Sequence, residues 1–112
     1  MLDDLIKEAQ SSLSKIQNLF DQYQNTYFER RSPEFFCLEL NGEAGELANN
    51  EKKQWKGRQI DHIAFEDEAA DVLIALMNYS NARKVDLANA VARKLQTIEN
   101  KRLEMLKEGK NF

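Results

Sequence analysis

The sequence predicts an all-α fold, an antiparallel four-helix bundle formed as a single domain over residues 1–112. Three observations predict it. The chain carries only 4 Gly and 1 Pro, too few turn-formers for a protein of many short strands, which needs a turn signal every 8–12 residues or so. Its apolar residues recur at spacings of three and four rather than two. Hydrophobic residues make up 42% and charged ones 31%, a globular balance with material for one core.

From Leu2 the apolar positions run Leu5, Ile6, Ala9, Leu13, Ile16, Leu19, Phe20, Tyr23 and Tyr27, which predicts an amphipathic helix of about seven turns. It must stop before Pro33, whose ring disfavours helix at the preceding residue. Ser32 then reads as an N-cap, with Pro33 at the first helical position and Glu34 complementing the dipole. The second helix runs through FFCLELNGEAGELANN, where apolar residues are numerous enough to bury most of its surface, and fades around Trp55-Lys56-Gly57. A short polar connection, GRQIDHIA, leads into a third helix that starts near Ile63 and carries Phe65, Ala69, Val72, Leu73, Leu76 and Met77. Asp86 is the N-cap of a fourth, with Leu87, Val91, Leu95, Ile98, Met105 and Leu106 on one side and Gly109 as the C′ residue. Short connections make neighbouring helices antiparallel. Helices two and three are apolar over more than one stripe, so the core is expected to be completed in a homodimer or a dimer of dimers.

Net charge −3 and a pI near 5.2 leave no electrostatic footprint for nucleic acid. A single cysteine, Cys37, excludes an internal disulfide and suits a reducing compartment. Met1-Leu-Asp-Asp-Leu lacks the basic, apolar pattern of a signal peptide, and no apolar run approaches the roughly 20 residues that span a bilayer. The expectation is a cytoplasmic protein without a membrane partner. Cys37 and the lone His62 read as structural residues.

The second helix also carries a stripe of acids. Glu39, Glu43 and Glu46 share a face, continued by Asn50 and Lys53, because residues three, four and seven apart are neighbours on a helix. Like charges at that spacing cost an exposed helix a few tenths of a kcal/mol per pair. The third helix repeats the pattern with Glu68 and Asp71, followed by small Ala75 and by Asn78. If the two helices are antiparallel neighbours, Glu43 and Glu46 face Glu68 and Asp71, and four convergent carboxylates need a cation between them. Oxygen ligands without thiolate or imidazole select Mg²⁺, with Mn²⁺ as a substitute. A di-iron bundle would need two Glu-x-x-His motifs, and one histidine cannot supply them. Gly42 and Gly45 each cost about 1 kcal/mol against Ala inside a helix. They read either as room for close approach at a metal-facing turn or as allowance for tight helix packing.

GEAGELAN followed about twenty residues later by EDEAADVLIAL resembles the MazG-like all-α nucleoside triphosphate pyrophosphohydrolases, a group that includes dCTP pyrophosphatases and dimeric dUTPases. Their signature is EExxE, a spacer, then ExxD, and the resemblance covers roughly residues 35–102. It implies hydrolysis of an NTP or dNTP to the monophosphate and pyrophosphate, dependent on Mg²⁺, in a helical dimer or tetramer. Carried over by position, Glu43, Glu46, Glu68 and Asp71 would be metal ligands. Glu39 or Glu46 would be the general base, Glu39 standing one turn before the motif whose first acid is replaced by Gly42. Trp55, in QWKG, resembles a base-enclosing aromatic. Lys94 matches a lysine of the family's last helix, and Arg102 an arginine beyond it. Lys53 and Lys56 join them as candidates for the outer phosphates, and Asn78 as a reader of base or sugar. The family's asparagine before that lysine is absent, and Ala75 stands where a tyrosine is frequent. The rival reading is a non-catalytic helical interaction or nucleotide-binding module that keeps the look of the metal site.

Overall fold

The computed structural model describes residues 1–110, and among them every regular element is helical. Helix α1 (Leu2–Glu8) passes through a π-helical turn (Ala9–Leu13) into α2 (Ser14–Tyr27); α3 (Pro33–Trp55), α4 (His62–Arg83) and α5 (Leu87–Lys107) follow. The seven-turn first helix is therefore present, with an interruption the spacing did not predict.

That interruption redirects the helix. A π turn takes up one extra residue, so every position after it is displaced by about one place relative to the positions before it. The predicted inward stripe beyond Leu13 was Ile16, Leu19, Phe20, Tyr23 and Tyr27. Instead Gln17, Phe20 and Gln24 are half-buried, while Ile16, Leu19, Tyr23 and Tyr27 are exposed. Tyr23 packs its ring against Tyr27 and Phe28, with centroids 5.5 and 5.6 Å away.

The remaining boundaries follow their chemistry. Ser32 caps α3 by accepting a hydrogen bond from Phe35 N–H at 3.2 Å, with Pro33 in the first turn. Helix α3 ends as predicted, and Gly57 beyond it takes φ +98°, a left-handed value that glycine adopts without strain. Helix α4 begins at His62, one residue earlier than expected. Asp86 caps α5 through Asn89 N–H at 3.2 Å, and Gly109 follows the C-cap at φ +73°.

By packing, the described residues divide into two compact units: 1–19 with 85–110, and Phe20–Lys84. In the first, α5 packs on α1 and on the π turn, with Ala88 and Ala92 buried. Gln17 ties the first helix of this unit to the start of α5. Its Nε2 donates to Val85 O at 2.6 Å, and its Oε1 accepts from Leu87 N–H at 3.1 Å. One side chain thus satisfies both backbone groups of a turn. Gln17→Ala leaves them short of partners and is expected to cost about 1–3 kcal/mol in urea unfolding. A change within about ±0.5 kcal/mol, the range of an ordinary surface substitution, would mean that water replaces the clamp.

In the second unit α3 packs against α4. Arg83 at the end of α4 meets Glu34 at the start of α3 at 3.4 Å, whereas Glu43 meets Glu68 and Asp71, so the two helices run antiparallel. Phe36, Ala75, Met77, Asn78 and Ser80 are buried here. The expectation that α3 hides most of its surface is not met. Phe36 is its only buried residue, Phe35 and Cys37 are exposed, and Leu38 is 75% exposed. On α4, Met77 is buried and Val72 and Leu76 are half-buried, but Leu73 and Ile74 are exposed.

Candidate metal centre

The acids of α3 and α4 meet in the middle of the hairpin. Glu43, Glu68 and Asp71 each bring one carboxylate oxygen within 4.8 Å of the others. Glu68 and Asp71 are three apart and so lie on one face of α4, and the antiparallel crossing sets Glu43 opposite them. Glu43 and Glu68 are half-buried; Asp71 is exposed. Exposed acids are common on helices, but buried ones lacking partners are not. Glu43 Oε2 and Glu68 Oε2 are both closed off from solvent and receive no hydrogen bond.

The electrostatics follow from that crowding. The Glu68 carboxyl is pushed from 4.5 up to about 7, first by the hydrogen bond it shares with Glu43 when protonated. Desolvation and the nearby charge of Glu46 add to the effect. Glu46 thus stands next to Glu68 although it is itself exposed and outside the tight triad. A proton is one way to relieve the cluster, and a cation is the other.

The donor set fits a hard divalent cation. All the ligand atoms are carboxylate oxygens, as Mg²⁺, Mn²⁺ and Ca²⁺ require. Adjacent ligands of an octahedral Mg²⁺ are about 3 Å apart and opposite ones about 4.2 Å, so oxygens within 4.8 Å of one another would have to draw together to hold the ion.

The other predicted residues are placed as follows. Glu39 is exposed on α3, one turn before Glu43. Lys53 is half-buried near the end of α3, and Lys56 is exposed at its C-cap. Trp55 is the last residue of α3 and is 89% exposed, so it packs little against the other described residues. Asn78 is buried; its Nδ2 donates to Gln24 Oε1 at 3.4 Å and its Oδ1 has no partner. Lys94 and Arg102 belong to the other unit: both are exposed on α5, and Arg102 pairs with Glu99 one turn back. His62 lies not in a loop but in the first turn of α4, 3.4 Å from Glu66 and exposed; neither it nor exposed Cys37 is a core residue.

A Cβ at Gly42 or Gly45 would meet nothing within 4 Å among the described residues, which removes tight packing against them as the reason for either glycine. Gly45→Ala should then raise stability by up to about 1 kcal/mol in thermal or urea melts. A loss of stability instead would reveal that a second copy approaches this face.

Gln24 was missed. Its signal was the run Leu13, Gln17, Phe20, Gln24, whose spacing of four, three and four marks a helix face as clearly as the apolar run did. Comparison with family models, with curated proteins and with solved structures gives no match, so the resemblance rests on the residues themselves.

Proposed function

We propose that the chain is a Mg²⁺-dependent nucleoside triphosphate pyrophosphohydrolase of MazG-like type, cleaving an NTP or dNTP to the monophosphate and pyrophosphate. The observation that carries this reading is the pair of buried, unpartnered oxygens on Glu43 and Glu68 within the acid triad. A bound divalent cation would supply the positive charge that lets a polyphosphate approach these acids. Glu43, Glu68 and Asp71 would hold it, with Glu46 at the edge of the set. The reaction forms a bond from a water oxygen to the α-phosphorus and breaks the link to the β-phosphate, releasing pyrophosphate. A carboxylate takes the water's proton, and Glu46 and exposed Glu39 remain the two candidates. Lys53 and Lys56, in the same unit as the triad, are the cations offered to the outer phosphates, and Trp55 a stacking surface for the base.

The same reading includes a four-helix bundle whose core is completed by a second copy, as a homodimer or a dimer of dimers. Exposed Leu19, Tyr27, Leu38, Leu73 and Trp55 support it, since a lone chain leaves large apolar side chains in water. Among the described residues no helix is long and apolar enough to cross a membrane. Cytoplasmic nucleotide-pool cleaning fits the composition and the lone thiol.

A second reading is favoured by one feature, Gly42 in place of the first motif acid. In it the helices form a nucleotide-binding or protein-interaction module without turnover. Pyrophosphate release from a panel of NTPs and dNTPs, with Mg²⁺ and with EDTA, separates the two. Metal-dependent pyrophosphate, without orthophosphate, supports the hydrolase; no turnover on any nucleotide at micromolar protein supports the module.

A further inference from the structure

Helix α2 carries two candidate inward faces, one residue apart. The half-buried positions of the observed face are Gln17, Phe20 and Gln24. Each is preceded directly by an apolar residue that stands in water: Ile16 is 42% exposed, Leu19 62% and Tyr23 56%. The offset comes from the π turn (Ala9–Leu13), which holds one residue more than an α-helix needs. Relaxing that turn into α-helix would advance the residues after it by one place, about 1.5 Å along the axis and about 100° around it. Ile16 would then take the place of Gln17, Leu19 that of Phe20 and Tyr23 that of Gln24. Residues 28–32, between α2 and α3, lie outside any helix and can absorb a shift of that size.

Opposing interactions hold the two registers. In the observed one Gln17 clamps Val85 O and Leu87 N–H, and Gln24 Oε1 accepts from Asn78 Nδ2. Against those bonds stand a π turn, a rare form of helix, and three large apolar side chains left exposed. The observed register is also incompletely bonded, because Asn78 Oδ1 has no partner. The straight register restores i→i−4 bonding through residues 9–13 and turns Ile16, Leu19 and Tyr23 inward, but it takes the Gln17 amide from the Val85–Leu87 turn. Hydrogen bonds and apolar burial thus favour different registers. Close-packed faces pass between such arrangements in discrete steps.

We propose that α2 is a two-register helix: the π turn holds one residue in reserve, and releasing it exchanges Gln17 for Ile16 at the Val85–Leu87 turn and Gln24 for Tyr23 at Asn78. A cavity of about 310 Å³ beside α4 has Gln24 in its wall, so the step also sets whether that wall is amide or aromatic. The device rests on packing alone and stands or falls apart from the hydrolase reading.

The test removes the residue held in reserve. Deleting Ser11, an exposed residue inside the π turn, leaves a plain α-helix in which Gln17 and Gln24 keep their present places and the second register is out of reach. Gln17→Asp and Gln24→Asp are then made together in the full chain and in the deletion. They put charges on the amide face that are too short to reach past it to water. In the full chain α2 escapes to the straight register, so the fall in melting temperature stops at the gap between registers. In the deletion there is no escape, and the fall must be larger. Thiol labelling reads the register itself. In a Cys37→Ser background, Leu19→Cys keeps the face apolar and reports on position 19. It should label freely while both glutamines are present, with or without Ser11. With the aspartates it should label at least about tenfold more slowly in the full chain, since the minor state of such a pair is about 0.1–10% populated. Three results would each overturn the proposal: an equal fall in melting temperature with and without Ser11, fast labelling at position 19 in a folded aspartate variant, or an aspartate variant that does not fold in the full chain. Should the Ser11 deletion itself not fold, labelling in the full chain decides alone.

Discussion

Glu43→Gln is expected to lower metal-dependent pyrophosphate release at least about a hundredfold, with Asp71→Asn close behind. Each change keeps the shape of the side chain and one oxygen, so the helices lose no packing, but it removes a negative charge from the set that, on the proposed reading, would hold a dication. The same substitution has an opposite effect on the fold. In EDTA the wild-type triad repels itself, and Glu43 Oε2 and Glu68 Oε2 receive no hydrogen bond. The amide introduced by Glu43→Gln would bring an N–H₂ donor to a place that lacks one, so the metal-free variant should melt at or above the wild-type temperature. Activity falling while metal-free stability holds or rises is the mark of a site arranged for a ligand at the expense of the fold. If activity and stability fell together, Glu43 would be a structural residue and the metal reading would lose its main support. Pyrophosphate assays and melts in EDTA on the same preparations decide between them.

The parts of the fold set by local chemistry were legible in the sequence. Ser32, Pro33 and Glu34 wrote the start of α3, Asp86 the start of α5 and Gly109 its end, because caps depend on residues within one turn of each other. Of the four acids the sequence brought together, Glu43, Glu68 and Asp71 do meet, since three-residue spacing fixes a face and a short connection fixes the neighbour, whereas Glu46 stays exposed outside the cluster. What the sequence hid depended on register carried over distance. The π turn at Ala9–Leu13 has no apolar or breaker signature, yet it moves the inward face from Ile16 and Tyr23 to Gln17 and Gln24. Two glutamines on a buried face look wrong by hydrophobicity alone. Each is explained by a partner remote in sequence, the Val85–Leu87 turn for Gln17 and Asn78 for Gln24. Apolar counting overstated the burial of α3 for a related reason. It measures how much surface wants cover, and Leu38 and Trp55 show that one chain does not provide it.

Metal-free stability should fall as pH rises from about 5 to about 8, and Mg²⁺ should reverse the trend. The sign follows from Glu68. Its folded carboxyl titrates at about 7 against 4.5 in the unfolded chain, so between those values the folded state binds more protons. Stability must then decline with pH through that window, being fully present below 4.5 and lost above about 7. The cause is first the hydrogen bond the protonated carboxyl shares with Glu43, then desolvation and the nearby Glu46. A divalent cation competes with that proton, so its binding releases it and its stabilisation, by mass action, is small near about pH 5.5 and large near about pH 8. Glu68→Gln is neutral throughout and removes the competing proton together with one ligand. Its melting temperature in EDTA should lose the downward slope across that range, and added Mg²⁺ should shift it little. Thermal melts of wild type and variant over the same pH values, with and without Mg²⁺, make the comparison, and other titrating groups cancel in the difference. A wild-type slope that survives Glu68→Gln unchanged would place the titration elsewhere. A Mg²⁺ shift as large at the acid end as at the alkaline end would mean that the cation does not displace the proton, and hence does not sit among these three carboxylates.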